Sequence, residues 1–176
     1  MKYLLILLML IPLALAAQES LTGEPGANGA CSAAEYRQFD FWVGEWVVTS
    51  NGQPAGTNTI EAIHGGCALQ ENWQGAGEGG ISGSSFNIYD AATGKWHQTW
   101  VDASGTLLQL DGGRVGASMV LSGERPAPEG KGTAQHRITW TPNEDGSVRQ
   151  LWEASSDGGD TWNVLFDGLY VAAGNP

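Results

Sequence analysis

Short segments in which apolar and polar residues alternate constrain the fold of this chain more than any other feature. Each is bounded by glycine, proline, asparagine or aspartate, the residues that favour turns. Successive side chains of a strand point to opposite faces, so this period predicts strands with one buried and one exposed face. The segments are 57–64, 67–74, 81–89, 95–102, 106–110, 117–122, 136–141, 147–155 and 162–171.

The block 39–48, Phe-Asp-Phe-Trp-Val-Gly-Glu-Trp-Val-Val, precedes them and is predicted to be the first strand. Gly44 permits a tight bend, and the ring of Trp46 is large enough to plug one end of a small barrel. We therefore expect Trp46 to be buried and to anchor a closed end.

About ten short strands in up-and-down order, with almost no helix, predict an all-β fold. Tight hairpins are indicated at 65–66, 90–94 and 111–113, and the longest loop at 124–131. A closed antiparallel barrel satisfies this pattern because closure leaves no exposed strand edges. A β-sandwich with the same number of strands is the alternative.

The block 39–48 resembles the first strand of calycin or lipocalin-type barrels. It is more closely similar to a family of secreted bacterial proteins of unknown function that begin with Phe-x-Phe-Trp-x-Gly-x-Trp. Segments 85–90, 94–96 and 99–105 resemble the Tyr-Asp … Thr-Trp-Ile-Asp core of such proteins, although the second and third lipocalin motifs are missing. The resemblance implies an up-and-down barrel and an arginine, Arg137 or Arg149, lying over Trp46.

The N-terminal residues predict export. Residues 1–17 contain one lysine, an apolar run and a small-residue triplet, which is typical of a cleavable signal peptide. Residues 18–30 are predicted to be a flexible lead-in, and residues 31–173 a single domain. We expect a soluble protein of the periplasm or extracellular space, with no membrane anchor after cleavage.

The formal net charge of -11 argues against nucleic acid and anionic membrane surfaces as partners, because both would repel the chain. The two cysteines, Cys31 and Cys67, are predicted to pair in an oxidising compartment. No oligomeric state follows from the sequence.

The segments that resemble cofactor or metal motifs do not have the neighbouring structure that such sites require. The glycines at 75–80 satisfy G-x-G-x-x-G, but a strand follows them, and Glu78 would repel a phosphate. Segment 155–162 resembles the Asp-box, a structural hairpin brace. We therefore predict no cofactor, no metal site and no catalytic residue.

Polar residues interrupt otherwise apolar strand faces and define the candidate site. If these faces point inward, they form an aromatic interior with a few polar groups, as in many small-molecule sites. Filling of a solid core by the same tryptophans is an equally good interpretation. The candidate ligand-binding residues are Glu71, Trp73, Trp96, Gln98, Trp100, Trp140, Gln150 and Trp152.

Two function classes follow. The first is a non-enzymatic protein that binds a small apolar or aromatic molecule, uncharged or weakly cationic, in the barrel. The second is an enzyme or haem protein that uses His64, His97 or His136, with Glu71 and His136 as a possible acid/base pair. We favour binding. A one-residue slip in register would instead place Lys95, His97, Arg137 and Arg149 inside and reverse the charge preference.

Overall fold

The computed structural model describes residues 29–127 and 132–174. The predicted signal peptide, 1–17, and residues 18–28 of the predicted lead-in lie outside these ranges. Within these ranges the chain forms three short 3-10 helices, at Ala34–Arg37, Asp40–Trp42 and His64–Gly66. Across the described ranges, no helix has the length and apolar character needed to span a bilayer.

Ten strands contain most of the other residues that the structure describes. They are β1 (Gly44–Ser50), β2 (Gln53–Ile63), β3 (Ala68–Gly75), β4 (Ser82–Asp90), β5 (Lys95–Asp102), β6 (Leu107–Val115), β7 (Ser118–Pro126), β8 (Thr133–Pro142), β9 (Val148–Ser155) and β10 (Asn163–Ala172).

The strands form one closed antiparallel barrel. Each strand pairs with its neighbours in sequence, and β1 closes the sheet by pairing with β10, from Trp46 opposite Ala172 to Ser50 opposite Gly168. The predicted up-and-down barrel is confirmed. The β-sandwich alternative is wrong, because two separate sheets would have edge strands paired on one side only, whereas every strand here pairs on both sides.

The two ends of the barrel differ. At the end that carries the β2–β3, β4–β5, β6–β7 and β8–β9 turns, the chain before β1 inserts Phe39 and Trp42, both fully buried. We call this the closed end. The opposite end, which carries the β3–β4, β5–β6 and β9–β10 connections, is called the open end.

The block 39–48 is only partly a strand, so the prediction was wrong for its first half. Asp40–Trp42 is a 3-10 helix, and β1 begins at Gly44. Gly44 has a φ of 148°, which side-chain-bearing residues rarely adopt. It therefore lets the chain turn from the inserted segment, which carries Phe39 and Trp42, into β1. Trp46 is buried as expected, and its Nε1 donates to the carbonyl of Trp42 at 2.9 Å.

Cys31 and Cys67 form the predicted disulfide, with Cα atoms 5.0 Å apart. The bond joins the segment before the plug to the β2–β3 turn. It thus fastens the inserted segment to the wall. The guanidinium of Arg37 reinforces this contact by donating to the carbonyl of Gly66.

Four strands, β2, β6, β7 and β8, are longer than predicted. β2 begins at Gln53, directly after a two-residue turn in which Asn51 and Gly52 have φ of 51° and 73°. The predicted turn at 111–113 lies inside β6, whose hairpin with β7 instead turns at Gly116. A Cβ on Gly112 would lie 2.1 Å from the carbonyl oxygen of Val120, so this glycine serves close strand contact.

Candidate functional site

The strand faces on which polar residues interrupt apolar ones point inward. Leu69 and Glu71 on β3, Trp96 and Gln98 on β5, and Trp140 on β8 are all buried. On the opposite faces, Arg137 pairs with Glu153 at 3.0 Å, and Arg149 pairs with Asp167 at 2.7 Å. The register is therefore the one that places Lys95, His97, Arg137 and Arg149 outside.

A cavity of about 280 Å³ occupies the open half of the barrel. It reaches the surface at Ile81 and Leu165, which are 49% and 50% exposed. The residues that line it are Glu71, Trp73, Ile81, Gln98, Trp100, Asp102, Leu108, Ile138, Gln150, Trp152, Leu165, Phe166 and Tyr170.

Aromatic rings form the walls of the cavity and lie against glycines. The rings of Trp73 and Phe166 meet edge to face, with centroids 6.0 Å apart. A Cβ on Gly83 would lie 2.3 Å from the Trp100 ring, one on Gly56 would lie 2.7 Å from Trp73, and one on Gly168 would lie 2.4 Å from Phe166. These glycines therefore let the rings lie along the wall instead of filling the interior.

Glu71 lies deep in the cavity and accepts hydrogen bonds on both carboxylate oxygens. Asn58 Nδ2 donates to Oε1 at 2.7 Å, and the hydroxyl of Ser85 donates to Oε2 at 2.6 Å. Behind Ser85, Asn87 Nδ2 donates to the Ser85 hydroxyl at 2.9 Å, and Gln98 Nε2 donates to Asn87 Oδ1 at 2.9 Å. The chain of donors runs from β5 through β4 and ends at the carboxylate.

Burial dominates the titration of this group. It raises the pKa of Glu71 to about 7, although the hydrogen bonds from Ser85 and Asn58 lower it. Burial and the nearby Glu71 also raise the pKa of Tyr170 well above its ordinary value. Tyr170 therefore stays protonated, and its hydroxyl donates to Gln150 Oε1.

Two polar pairs lie nearer the open end. Trp100 Nε1 donates to Asp102 Oδ2 at 3.2 Å; burial opposes ionisation of Asp102, but hydrogen bonds from Ser104, Thr106 and Trp100 lower its pKa. Trp152 Nε1 donates to His136 Nδ1 at 3.1 Å. Burial and the charge of Arg125 lower the pKa of His136, which favours the neutral imidazole.

Six of the eight predicted site residues line the cavity: Glu71, Trp73, Gln98, Trp100, Gln150 and Trp152. Trp96 and Trp140 point inward as predicted but do not line the cavity. Their rings pack against Phe39 at centroid distances of 5.6 and 5.1 Å, at the closed end. The inserted segment fills the space that a ligand would need there.

The three histidines lie apart. His64 is exposed in the β2–β3 turn, and His97 is on the outer face, 2.8 Å from Asp111 Oδ1. His136 accepts from Trp152, whereas Glu71 accepts from Asn58 and Ser85, so the suggested Glu71–His136 pair does not form. Over residues 29–127 and 132–174, no group of three or more His, Cys, Asp or Glu side chains is arranged to hold a metal ion.

The arginine expected over Trp46 is not there. Arg137 lies 4.0 Å from the ring centroid of Trp162, outside the barrel, and Arg149 bonds to Asp167. Trp46 instead meets Tyr170 edge to face at 6.3 Å. In this respect the barrel departs from the lipocalin pattern.

Sequence reasoning missed part of the site. Among the omitted residues are Asn58, Ser85, Asn87, Phe166 and Tyr170, together with the wall glycines. Most of them belong to β2, β4 and β10, where the same alternation would have placed them on the inward face. Gly56, Gly83 and Gly168 carried a second signal, since glycine inside a strand often marks the close approach of another group.

Comparison of the sequence with protein-family models and with curated proteins finds no match to either. The ten-stranded antiparallel barrel is consistent with a calycin or lipocalin-like fold.

Proposed function

We propose that this protein is an exported, non-enzymatic binding protein that holds a small apolar or aromatic molecule in the open half of its barrel. The observation that carries the proposal is the cavity of about 280 Å³ bordered by Trp73, Trp100, Trp152 and Phe166. Ligand sites are usually mostly apolar clefts of about 300 to 1,000 Å³ with a few fixed polar groups. At about 280 Å³ this cavity lies just below that range, so it favours a compact guest.

The proposal places the protein in the periplasm or outside the cell. The apolar run in residues 1–17 and the disulfide between Cys31 and Cys67 support this location, because disulfides persist in oxidising compartments. The resemblance to secreted bacterial barrel proteins agrees with it. A small molecule is the proposed partner, and the negative net charge disfavours nucleic acid.

Calorimetric titration with small phenyl and indole compounds tests the proposal. We expect binding to the wild type and weaker binding to Trp100→Ala, since this change removes one wall of the cavity. The matched control is Trp162→Ala, which removes a tryptophan that packs against Arg137 on the outer surface. Equal loss of binding in both variants, or no binding by any compound at millimolar concentration, would contradict the proposal.

A further inference from the structure

Glu71 is a buried carboxylate whose two described hydrogen-bond donors, Asn58 and Ser85, carry no positive charge. Asn58 and Ser85 supply one hydrogen bond to each oxygen, and Asn87 and Gln98 orient Ser85 from behind. A carboxylate accepts about four hydrogen bonds, so about two acceptor positions remain on Glu71. Because Glu71 lines the cavity, a guest can reach it.

The charges that line the cavity have one sign. Glu71 lies at its depth, Asp102 nearer its mouth, and no lysine or arginine is among its lining residues within the described ranges. Burying an unpaired charge is costly, and a cation that enters with its own hydrogen-bond donors offsets this cost. An ionised Glu71 therefore disfavours anionic guests and favours cations.

The walls suit the same guest. The faces of tryptophan rings attract ammonium groups, and Trp73 and Trp100 line the cavity together with Glu71. Aromatic rings also pack well against the rest of an aromatic ligand. Charge and shape thus point to one chemical class.

We propose that the ligand of the cavity is a small aromatic amine whose protonated amino group binds Glu71 while its ring packs between Trp73, Trp100 and Phe166. This rests on the proposed binding function and names the class of ligand for the same site.

Arg125 is the positively charged residue that could favour an anionic ligand instead. It lies on the inward side of β7, opposite buried Ala134 and close enough to His136 to lower the pKa of that imidazole. It is not among the residues that line the cavity. An anionic guest would have to use Arg125, and the experiment includes that outcome.

The test compares three probes that share a phenyl ring and a two-carbon chain: 2-phenylethylamine, 2-phenylethanol and 3-phenylpropanoate. Titration calorimetry at pH 8 is expected to show the amine binding about tenfold to a hundredfold more tightly than the alcohol, as for a hydrogen bond to a charged group. The acid is expected to bind most weakly. Glu71→Gln is expected to remove the amine's advantage over the alcohol.

Glu61→Gln is the matched control, because Glu61 is an exposed glutamate of β2; it should leave the advantage intact. The assignment is overturned if the amine binds no more tightly than the alcohol in the wild type, a comparison that holds even if Glu71→Gln does not fold. It is also overturned if the acid binds most tightly and loses affinity in Arg125→Gln. Binding of all three probes with equal affinity would leave the proposed function standing, whereas binding of none would reject both.

Discussion

Trp96 and Trp100 lie on the same face of β5, four residues apart, yet they have different surroundings. The ring of Trp96 packs against Phe39 and is 1% exposed, whereas that of Trp100 borders the cavity. The same contrast separates Trp140 on β8, at the closed end, from Trp152 on β9, at the open end. Strand alternation puts all four rings inside, and only the inserted segment decides which of them belong to a solid core.

The comparison shows that a filled core and a hollow pocket are not alternatives for this barrel. One end is filled by Phe39 and Trp42, which come from outside the strand pattern. At the other end, Gly56, Gly83 and Gly168 accommodate the aromatic rings and leave space in the middle. The largest consequences for stability are therefore expected at the closed end, and the largest consequences for binding at the open end.

Replacing a closed-end tryptophan should have the greatest effect on stability. Trp140→Ala removes a fully buried ring that contacts Phe39 and Trp42, so the free energy of unfolding should fall by about 3 to 5 kcal/mol. Trp100→Ala should cost less, because one side of its ring already faces the cavity. Urea denaturation of both variants measures the difference. Equal losses would mean that the two ends are packed alike.

Removing the disulfide should have the second-largest effect on stability. Cys31→Ser combined with Cys67→Ser frees a loop that the bond closes over a sequence separation of 36. On the chain-entropy model this costs about 4 kcal/mol. Because the bond fastens the closed-end segment, folded protein should still bind ligand at the open end. Denaturation curves with and without reductant give the stability, and titration of the folded variant gives the binding; unchanged stability would contradict the argument.

Much of the difference between the two ends of the barrel could not be predicted from the sequence. Alternation gave the strand faces correctly, and hence Glu71, Gln98 and Gln150 inside, because the period of two is a local property. The position of Phe39 and Trp42 depends on contacts with Trp96 and Trp140, nearly 60 and 100 residues away, which no local pattern encodes. For the same reason, apolar richness led to a strand prediction for a segment that forms a 3-10 plug.

The donor chain to Glu71 was also out of reach, for another reason. The two bonds to Glu71 join neighbouring strands, from Asn58 on β2 and from Ser85 on β4 to Glu71 on β3, so together they require the register of three strands at once. Asn51-Gly52, by contrast, is a strong local hairpin signal that could have placed the start of β2.

The pH dependence of stability should distinguish the buried carboxyl group of Glu71, in the cavity, from the apolar residues that fill the closed end. The folded pKa of Glu71, about 7, is above its ordinary value of 4.5, so between these values the folded protein binds more protons than the unfolded chain. The contribution of Glu71 to stability is therefore most favourable below pH 4.5, declines as the pH rises to about 7, and changes little above that.

The change should be on the order of 3 kcal/mol. Glu71→Gln should abolish it, so that the variant gains stability relative to the wild type as the pH rises across this window. Urea denaturation at several pH values measures the gain. Glu61→Gln is the control and should run parallel to the wild type; a Glu71→Gln curve that also runs parallel would show that the carboxyl is not desolvated.

The smallest effect on stability, and the sharpest test of how the cavity is kept open, is expected from Gly83→Ala. The added Cβ would lie 2.3 Å from the Trp100 ring, and the space into which that ring can move is the cavity itself. The added Cβ would also lie 2.9 Å from the backbone oxygen of Val101, which cannot move as freely as the ring, so the cost should be about 1 to 3 kcal/mol, the usual range for overpacking. The displaced ring should nevertheless weaken ligand binding.

Gly113→Ala is the matched control, since a Cβ there meets no atom within 4 Å. Parallel denaturation and titration of the two variants give the answer: weaker binding in Gly83→Ala alone supports a cavity kept open by glycine, whereas a large loss of stability with unchanged affinity would show that Trp100 is fixed in place and that the cavity does not depend on Gly83.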